Sequence, residues 1–528
     1  MPLQTAKDVL IYNLPEIISR ANPKTRARIT KLRGMLEQPF GGNAPTVNVS
    51  VSRHCTAADC AQRVREGTIR SVSSKEELSR PSLGSMHGFS VVEAAKGRRR
   101  AIDHPREQNE AAYAAGYKSE CDLRHVSAYL GAVYSAAGCV ADISASFYGY
   151  ELTQRASQHY RFRDETGALY ESTRMMMGHT VAAELQHLLT SVVAGHRDYC
   201  EPRHIIQCNG DVWVDNVRFH GTANLVASAR RQLQINSTKC NVSFNVGDVS
   251  TKYEFIGVEF DHKNNTTRIA TKTRDKLPAA IPQRMTAHDL EGLIGRLIFS
   301  AAVRQEPLVN NWWALKWARR FFNKLNRGLI NNDDNIDVAG AARTSLQHWL
   351  DNAPQAHVVN RAKTGTTAHL FTDATLVGWG AVLVFDNCRI AVAGGHFNGV
   401  QRAASSIGPK EAYAIVNAID AFSHQLGEVQ QLNLFVDNTS VVAGMRRGQT
   451  RAASLVEPVR EAWTALIKTR VSLHVDYVST KINPADAISR GQRIEIHKVQ
   501  LAMGQTHPAQ NQRQGAVSRF TVERKPTR

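Results

Sequence analysis

Apolar and polar positions change period several times along the chain, and each change marks an element. Ala368–Ala374 (AHLFTDA) and Gly378–Phe385 (GWGAVLVF) are short apolar runs three residues apart, which predicts two strands joined by a tight turn. Lys410–Leu426 repeats its apolar positions at helical spacing through Ile415, Ala418, Ile419 and Phe422, and Glu411 falls on that same stripe. Leu432, Leu434 and Val436 alternate as in a strand, with Asp437 at its end. Asn483, Pro484, Ala485 and Asp486 read as an N-cap, a first-turn proline and a first-turn acid. Upstream, Val140–Tyr148 (VADISASFY) carries a strand pattern, and Ile205–Phe219 (IIQCNGDVWVDNVRF) predicts a hairpin with Asp215 at its tip. Glu291–Leu350 predicts helices, with Leu293, Leu297 and Ala301 at helical spacing. Within it, Trp312–Gly328 predicts an amphipathic helix with Trp313, Trp317 and Phe321 as a buried stripe and Lys316, Arg320 and Lys324 as a basic one.

Between these segments the pattern weakens. Residues 1–90 are basic and irregular, with prolines and glycines that predict a lightly packed start, and 360–367 (NRAKTGTT) is a polar linker. Residues 492–528 have too few apolar side chains for a core and predict a mobile basic tail. A chain of 528 residues allows three or four compact units. The formal charge is +18, of which +12 lies in residues 1–366, +1 in 367–490 and +5 in 491–528. Such an excess on a globular chain predicts a polyanionic partner, nucleic acid before membrane. The longest uncharged stretch, Val126–Ala141, has 16 residues, short of the ~20 that span a bilayer. Eight cysteines and a charged opening segment predict a reducing, intracellular setting rather than secretion. Cys55 and Cys60 follow His54 without a second ligand pair nearby, so plain thiols are the expectation there.

The acids change the picture. Each of Asp373, Glu411, Asp437 and Asp486 has a bland explanation singly, as a cap, a turn or a solvated position. Together, each at an element end or in a strand, they supply what two divalent cations ~3.5–4 Å apart need beside a phosphodiester. TDATLVGWGAV, KEAYAIV, LFVDNTSVV and STKINPADAISRG resemble the ribonuclease H domain of retroelement reverse transcriptases over about 125 residues. The resemblance implies an α/β RNase H-like domain with a mixed sheet at 367–491. It also implies that the four acids bind two Mg²⁺ and cut the RNA strand of an RNA/DNA hybrid. Cellular relatives carry a histidine in the loop before the last Asp, whereas Val478–Asn483 has none.

Upstream, VADISASFY resembles reverse-transcriptase motif A, and the hairpin resembles the Tyr-x-Asp-Asp motif. Arg174–Gln186 (RMMMGHTVAAELQ) resembles the motif B loop and helix, with Gly178 as its flexible point. Lys239 and Tyr253–Phe260 (YEFIGVEF) follow in the place of the later palm motifs, and Val92–Asn109 (VEAAKGRRRAIDHPREQN) resembles the fingers segment. This likeness implies an α+β right-hand polymerase: N-terminal extension and fingers at 1–120, palm at 121–275 and thumb or connection at 276–366. Asp142 and Asp215 would hold metal ions, Mg²⁺ or alternatively Mn²⁺, and Phe147 would exclude a ribose 2′-OH. Arg98, Arg99 and Arg100, with Arg99 and Arg100 favoured, would hold a deoxynucleoside triphosphate. The basic face of Trp312–Gly328 would track template and primer phosphates.

Two departures stand out: Asn216 replaces the second Asp and Trp213 the Tyr, and motif B lacks its prolines. Asp211 shares a strand face with Asp215, but four residues at ~3.3 Å place it about 13 Å away, too far to serve the same ion. The set is similar to retrotransposon reverse transcriptases of the tyrosine-recombinase class, DIRS-like and in particular the trypanosomatid VIPER type. That likeness implies an RNA template, a DNA primer, and a recombinase and coat-like protein supplied by other chains. Two alternatives stand beside it: a domesticated or decayed RNA/DNA hybrid-binding protein, and an RNase H enzyme with an inactive polymerase.

Overall fold

The computed structural model describes all residues except 7, 8, 42–45, 50, 53, 54, 94–96, 122, 339, 360–364, 507–520 and 525–528. His54, most of the 360–367 linker and, in the C-terminal tail, residues 507–520 and 525–528 therefore lie outside the described residues. The chain is mixed α/β and divides into two compact units, Met1–Asn264 and Asn265–Arg528. Among the described residues no helix is long and apolar enough to cross a membrane.

The first unit opens with α1 (Leu14–Arg20) and α2 (Pro23–Glu37), each capped by an asparagine with a proline in the first turn. Ile17, Ile29, Leu32 and Leu36 are fully buried and share a core with Leu185, Leu189 and Val192 of α3 (Ala182–Val193). The lightly packed start is thereby corrected for these helices. Their apolar residues do recur at helical spacing, but the surrounding arginines and lysines hide it. A β-ribbon of β1 (His87–Glu93) and β2 (Arg98–His104) follows. An antiparallel sheet then assembles from β3 (Ala137–Ile143), β4 (Asn209–Trp213), β5 (Asn216–Gly221) and β6 (Phe244–Val246), in the order β4-β5-β3-β6. Helix α4 (Ala223–Cys240) covers one face of it through Val226, Ala229 and Leu233, and the antiparallel hairpin of β7 (Lys252–Phe255) and β8 (Val258–Asp261) follows. Cys55 and Cys60 are buried thiols whose sulfurs lie 3.4 Å apart.

The second unit has two kinds of core. Helices α5 (Ala287–Val303), α6 (Trp312–Asn326) and α7 (Gly340–Asn352) pack through Leu293, Leu297, Leu315, Leu346 and Trp349. The aromatic stripe of α6 is phased differently from the sequence expectation. Trp312 is the buried indole, 4% exposed, with its Nε1–H donating to the Thr450 carbonyl at 2.8 Å, whereas Trp313 is 60% exposed. One hydrogen-bonded anchor thus rotates the buried face toward Trp312.

The rest of the unit is a six-stranded mixed sheet. Its strands are β9 (Thr366–Ala374), β10 (Gly378–Phe385), β11 (Arg389–His396), β12 (Val429–Val436), β13 (Ser472–Tyr477) and β14 (Thr521–Arg524), ordered β13-β12-β9-β10-β11-β14. β9 pairs antiparallel with β10 and parallel with β12. On one face lie α8 (Ile407–Ala421), α9 (Thr439–Arg447) and α10 (Val456–Thr469) over Leu370, Leu383 and Leu434. On the other, Phe371, Val382 and Phe435 meet α11 (Ala485–Ser489) and α12 (Ile496–Thr506). Helix α12 corrects the expectation of a mobile tail from residue 492. Val499 and Ala502 sit one turn apart and are buried, enough to seal the second face.

Candidate functional site

The sheet of the second unit delivers three acids to one place. Asp373 is near the end of β9, Asp437 follows β12 on the adjacent parallel strand, and Glu411 is in the first turns of α8, one turn before fully buried Ile415. One carboxylate oxygen from each lies within 4.8 Å of the others. Glu411 Oε1 accepts from the Ala374 N–H at 3.3 Å, while its buried Oε2 has no hydrogen-bond partner among the described residues. Burial, with Asp437 and Asp373 beside it, raises the Glu411 carboxyl to about 9. Burial also lifts Asp373 to about 6, opposed by the Ser489 hydroxyl and assisted by Asp437 and Asp486. Converging carboxylates, an orphaned buried oxygen and raised pKa values describe a donor set short of positive charge, and it fits a hard divalent cation with oxygen ligands.

Asp486 is not part of this triad. Its Oδ1 accepts from Arg490 Nη2 at 2.9 Å and Nε at 3.1 Å, and Oδ2 lies 3.8 Å from Lys498 Nζ. Its charge is still felt at Asp373. Gly380, the cross-strand partner of Asp373, explains how α11 comes so close. A Cβ there would stand 2.3 Å from the Ser489 amide nitrogen and 2.7 Å from the Ala485 carbonyl oxygen. Asn483 is fully buried and pins the segment before α11, donating from Nδ2 to the Thr372 carbonyl at 3.0 Å while its Oδ1 caps Ala485. Three polar partners escaped the sequence reading: Ser489 donates to Asp373, Thr480 donates to Asp437 at 2.9 Å, and Ser146 belongs to the first unit's site. Only Ser489 carried a signal, lying three residues after Asp486 on the same helical face.

In the first unit, Asp142 on β3 pairs in the ladder with Asn216 on one side and Asn245 on the other. Asp215 occupies the two-residue turn between β4 and β5, and its carbonyl accepts from the Ile143 N–H at 3.2 Å. Burial raises both carboxyls, and the Asp142 charge raises Asp215 further. Asp215 accepts from Ser146 at 3.2 Å and from Asn216 Nδ2 at 2.8 Å, so the amide that replaces a second acid acts as a donor to the first. Val214, beside it in the turn, has φ +57°, a strained value for a β-branched residue, and its N–H donates to His187 Nδ1 at 3.3 Å. Asp211 is engaged by its cross-strand partner, the fully buried Arg218, at 2.9 Å from Nε, so it has no role at the hairpin tip.

The arginine triplet splits by strand alternation. Arg98 and Arg100 share a face and both meet Glu93, at 2.7 and 2.9 Å. Arg98 lines a cavity of about 340 Å³ with Ile143, Ser144 and Ala145, next to Asp142. Arg100 lines a small cavity with Phe147 and Met177. Arg99 points the other way, and its fork is filled by Asp59 at 2.6 and 2.7 Å. Gly178 is a point of close approach rather than of flexibility, since a Cβ would stand 2.2 Å from the Asp103 carbonyl oxygen of β2. Lys239 is exposed in the last turn of α4, near Glu16. In the second unit, Lys316 Nζ lies over Trp312 and Trp313 at 4.3 and 5.2 Å, Lys324 Nζ lies over Phe321 at 5.4 Å, and Arg320 is exposed.

No protein-family model matches this chain, and no curated protein sequence does. Among solved structures, the foamy viral protease-reverse transcriptase is similar. The form designated dRH in complex with double-stranded DNA has a TM-score of 0.49 at 12% identity, over 90% of this chain and 84% of that one. A second structure, in complex with dsDNA, has 0.44 at 12%, over 88% and 96%, and one with an RNA/DNA hybrid has 0.45 at 12%, over 90% and 64%.

The chemistry these residues support is the same at both places. Each brings carboxylates together from neighbouring elements, with burial raising Asp142 and Asp215 at one and Asp373 and Glu411 at the other, and a hydroxyl donor fixing one oxygen. Such groups lose protons when a cation arrives, and they can then hold it against a phosphate.

Proposed function

We propose that the chain is the reverse transcriptase of a retrotransposon. It would copy RNA into DNA at Asp142 and Asp215, and cut the RNA strand of the resulting hybrid at Asp373, Glu411, Asp437 and Asp486. The observation that carries the reading is the acid triad of the second unit, with its orphaned Glu411 oxygen, on a mixed sheet. In this reading 1–120 holds the N-terminal extension and fingers, 121–275 the palm with part of the fingers, 276–366 the thumb or connection, and 367–491 the RNase H domain. A divalent cation, Mg²⁺ or alternatively Mn²⁺, would neutralise charge beside the reacting phosphate at each site. The chain's own groups do the rest. Ser489 and Thr480 fix oxygens of Asp373 and Asp437, Arg98 and Arg100 would hold the triphosphate, and Phe147, which lines a cavity with Arg100, would be the steric gate. We assign the element to the tyrosine-recombinase, DIRS-like class, with recombinase and coat-like protein as separate partners.

Asn216 favours a second reading, an RNase H enzyme with a silent polymerase, because its amide occupies Asp215 Oδ1. Primer extension on an RNA template in Mg²⁺ and then Mn²⁺ separates the two. DNA product in either ion supports the bifunctional reading, and no product from a protein that still cleaves hybrid supports the second.

A further inference from the structure

Beside the hairpin that presents Asp215, the first unit holds a buried guanidinium. Arg218 lies on β5, three residues after Asp215, and is fully buried. Its Nε and Nη2 both donate to Oδ2 of its cross-strand partner Asp211, at 2.9 Å from Nε, and Nη2 also donates to the Tyr129 carbonyl at 3.0 Å. The guanidinium carbon stands 4.7 Å from the ring centre of Phe255 and 4.6 Å from that of Phe260, so β7 and β8 both close on it. Tyr253 of the same hairpin packs against Gly138 of β3, where a Cβ would stand 2.3 Å from the ring. The strands beside Asp142 and Asp215 thus each have a point held by the β7–β8 hairpin.

Stability does not account for this pair. A buried ion pair is often no more stabilising than apolar side chains of the same volume, and its best-founded use is to fix a register. Register matters in this hairpin. Asp211 and Arg218 sit at its base, and its two-residue turn, Val214–Asp215, is closed by Trp213 and Asn216. Val214 holds φ +57° there, and strain of that kind persists only where the surroundings impose it. A slip of one residue would turn Asp215 to the other face, away from Asp142. We propose that Arg218 is a positioning residue for the Asp142–Asp215 site. From the base of the hairpin it pins the register through Asp211, and through Phe255 and Phe260 it ties that register to β7 and β8. The proposal rests on reading the site as the polymerase centre.

The test compares the full chain as wild type, Arg218→Met, Arg218→Lys and the apolar pair Asp211→Leu/Arg218→Met. Asp211 borders a cavity of about 420 Å³, which leaves room for Leu. Each protein is measured by urea midpoint, primer–template affinity, single-nucleotide extension on an RNA template and hybrid cleavage. Arg218→Met leaves Asp211 without its guanidinium, so midpoint and extension kcat should both fall. The apolar pair should recover the midpoint. Its kcat should nevertheless stay at least about tenfold below wild type, with primer–template affinity and hybrid cleavage unchanged. Arg218→Lys keeps the charge without the fork and should show the same loss of kcat, and it decides the matter if the apolar pair does not recover its midpoint. Extension that returns with the midpoint in the apolar pair, or wild-type kcat in Arg218→Lys, overturns the positioning role and leaves the polymerase reading standing. A wild type that makes no DNA in Mg²⁺ or Mn²⁺ overturns both.

Discussion

Replacing Glu411 by Gln isolates the property that makes the triad a cation site. At pH 7 a carboxyl with a pKa of about 9 is protonated in all but roughly one molecule in a hundred. Ionising it costs about 3 kcal/mol at that pH, at about 1.4 kcal/mol for each step of pH below the pKa. Cation binding must supply that energy, so it should release about one proton from Glu411, and affinity should rise about tenfold per pH step from 7 toward 9. Gln keeps the shape of the neutral acid and removes the titration. Asp373, at about 6, contributes only about a tenth of a proton at pH 7 in either protein. Titration calorimetry with Mn²⁺ in two buffers of different ionisation enthalpy counts the protons, and the wild type should release about one more than the variant. Stability without metal gives the sign independently. A carboxyl raised in the fold binds more protons than in the unfolded chain, so its contribution is complete below pH 4.5 and is lost as pH rises toward 9. The wild type should therefore lose more stability over that window than Glu411→Gln. Equal proton release by the two proteins would refute the reasoning.

Three further outcomes follow from the same geometry. Asn216→Asp removes the amide donor from Asp215 and adds a charge beside it, so primer extension should need about tenfold less divalent cation; an unchanged requirement would count against the assignment. Ser489→Ala removes the hydroxyl that lowers Asp373, so the acid limb of the hybrid-cleavage pH profile should move upward, and a profile that stays put would exclude the contact from the site's electrostatics. Replacing Lys316, Arg320 and Lys324 together by Ala should weaken hybrid binding and flatten its salt dependence by up to about three units of slope, which a salt series measures directly.

The acids were legible because each sat in a local pattern with its own period. Asp373, Glu411 and Asp437 lay in or at the end of strongly apolar elements, where a carboxylate is expensive without a purpose. Parallel neighbouring strands then brought Asp373 and Asp437 together, and the helix packed on them added Glu411. What the pattern missed depends on contacts distant in sequence. Trp312 rather than Trp313 is buried because the Thr450 carbonyl receives its N–H, a partner 138 residues away. Asp486 looked equivalent to the other acids, and its pairing with Arg490 and Lys498, while its charge still reaches Asp373, depends on a helix the pattern did not show. Arg99 meets Asp59, 40 residues upstream, although strand alternation already separated it from Arg98 and Arg100. The N-terminal helices show the opposite failure, an apolar period present but masked by basic residues between its points.

The central claim is that one chain carries two separable metal-dependent active sites, built on Asp142 with Asp215 and on Asp373, Glu411 and Asp437. The direct measurement is DNA synthesis on an RNA template and RNA cleavage of a hybrid, side by side, for wild type, Asp215→Ala and Asp437→Ala. The account expects both activities in wild type, loss of synthesis alone in Asp215→Ala, and loss of cleavage alone in Asp437→Ala. A wild type with neither activity, or variants that leave both intact, would contradict it.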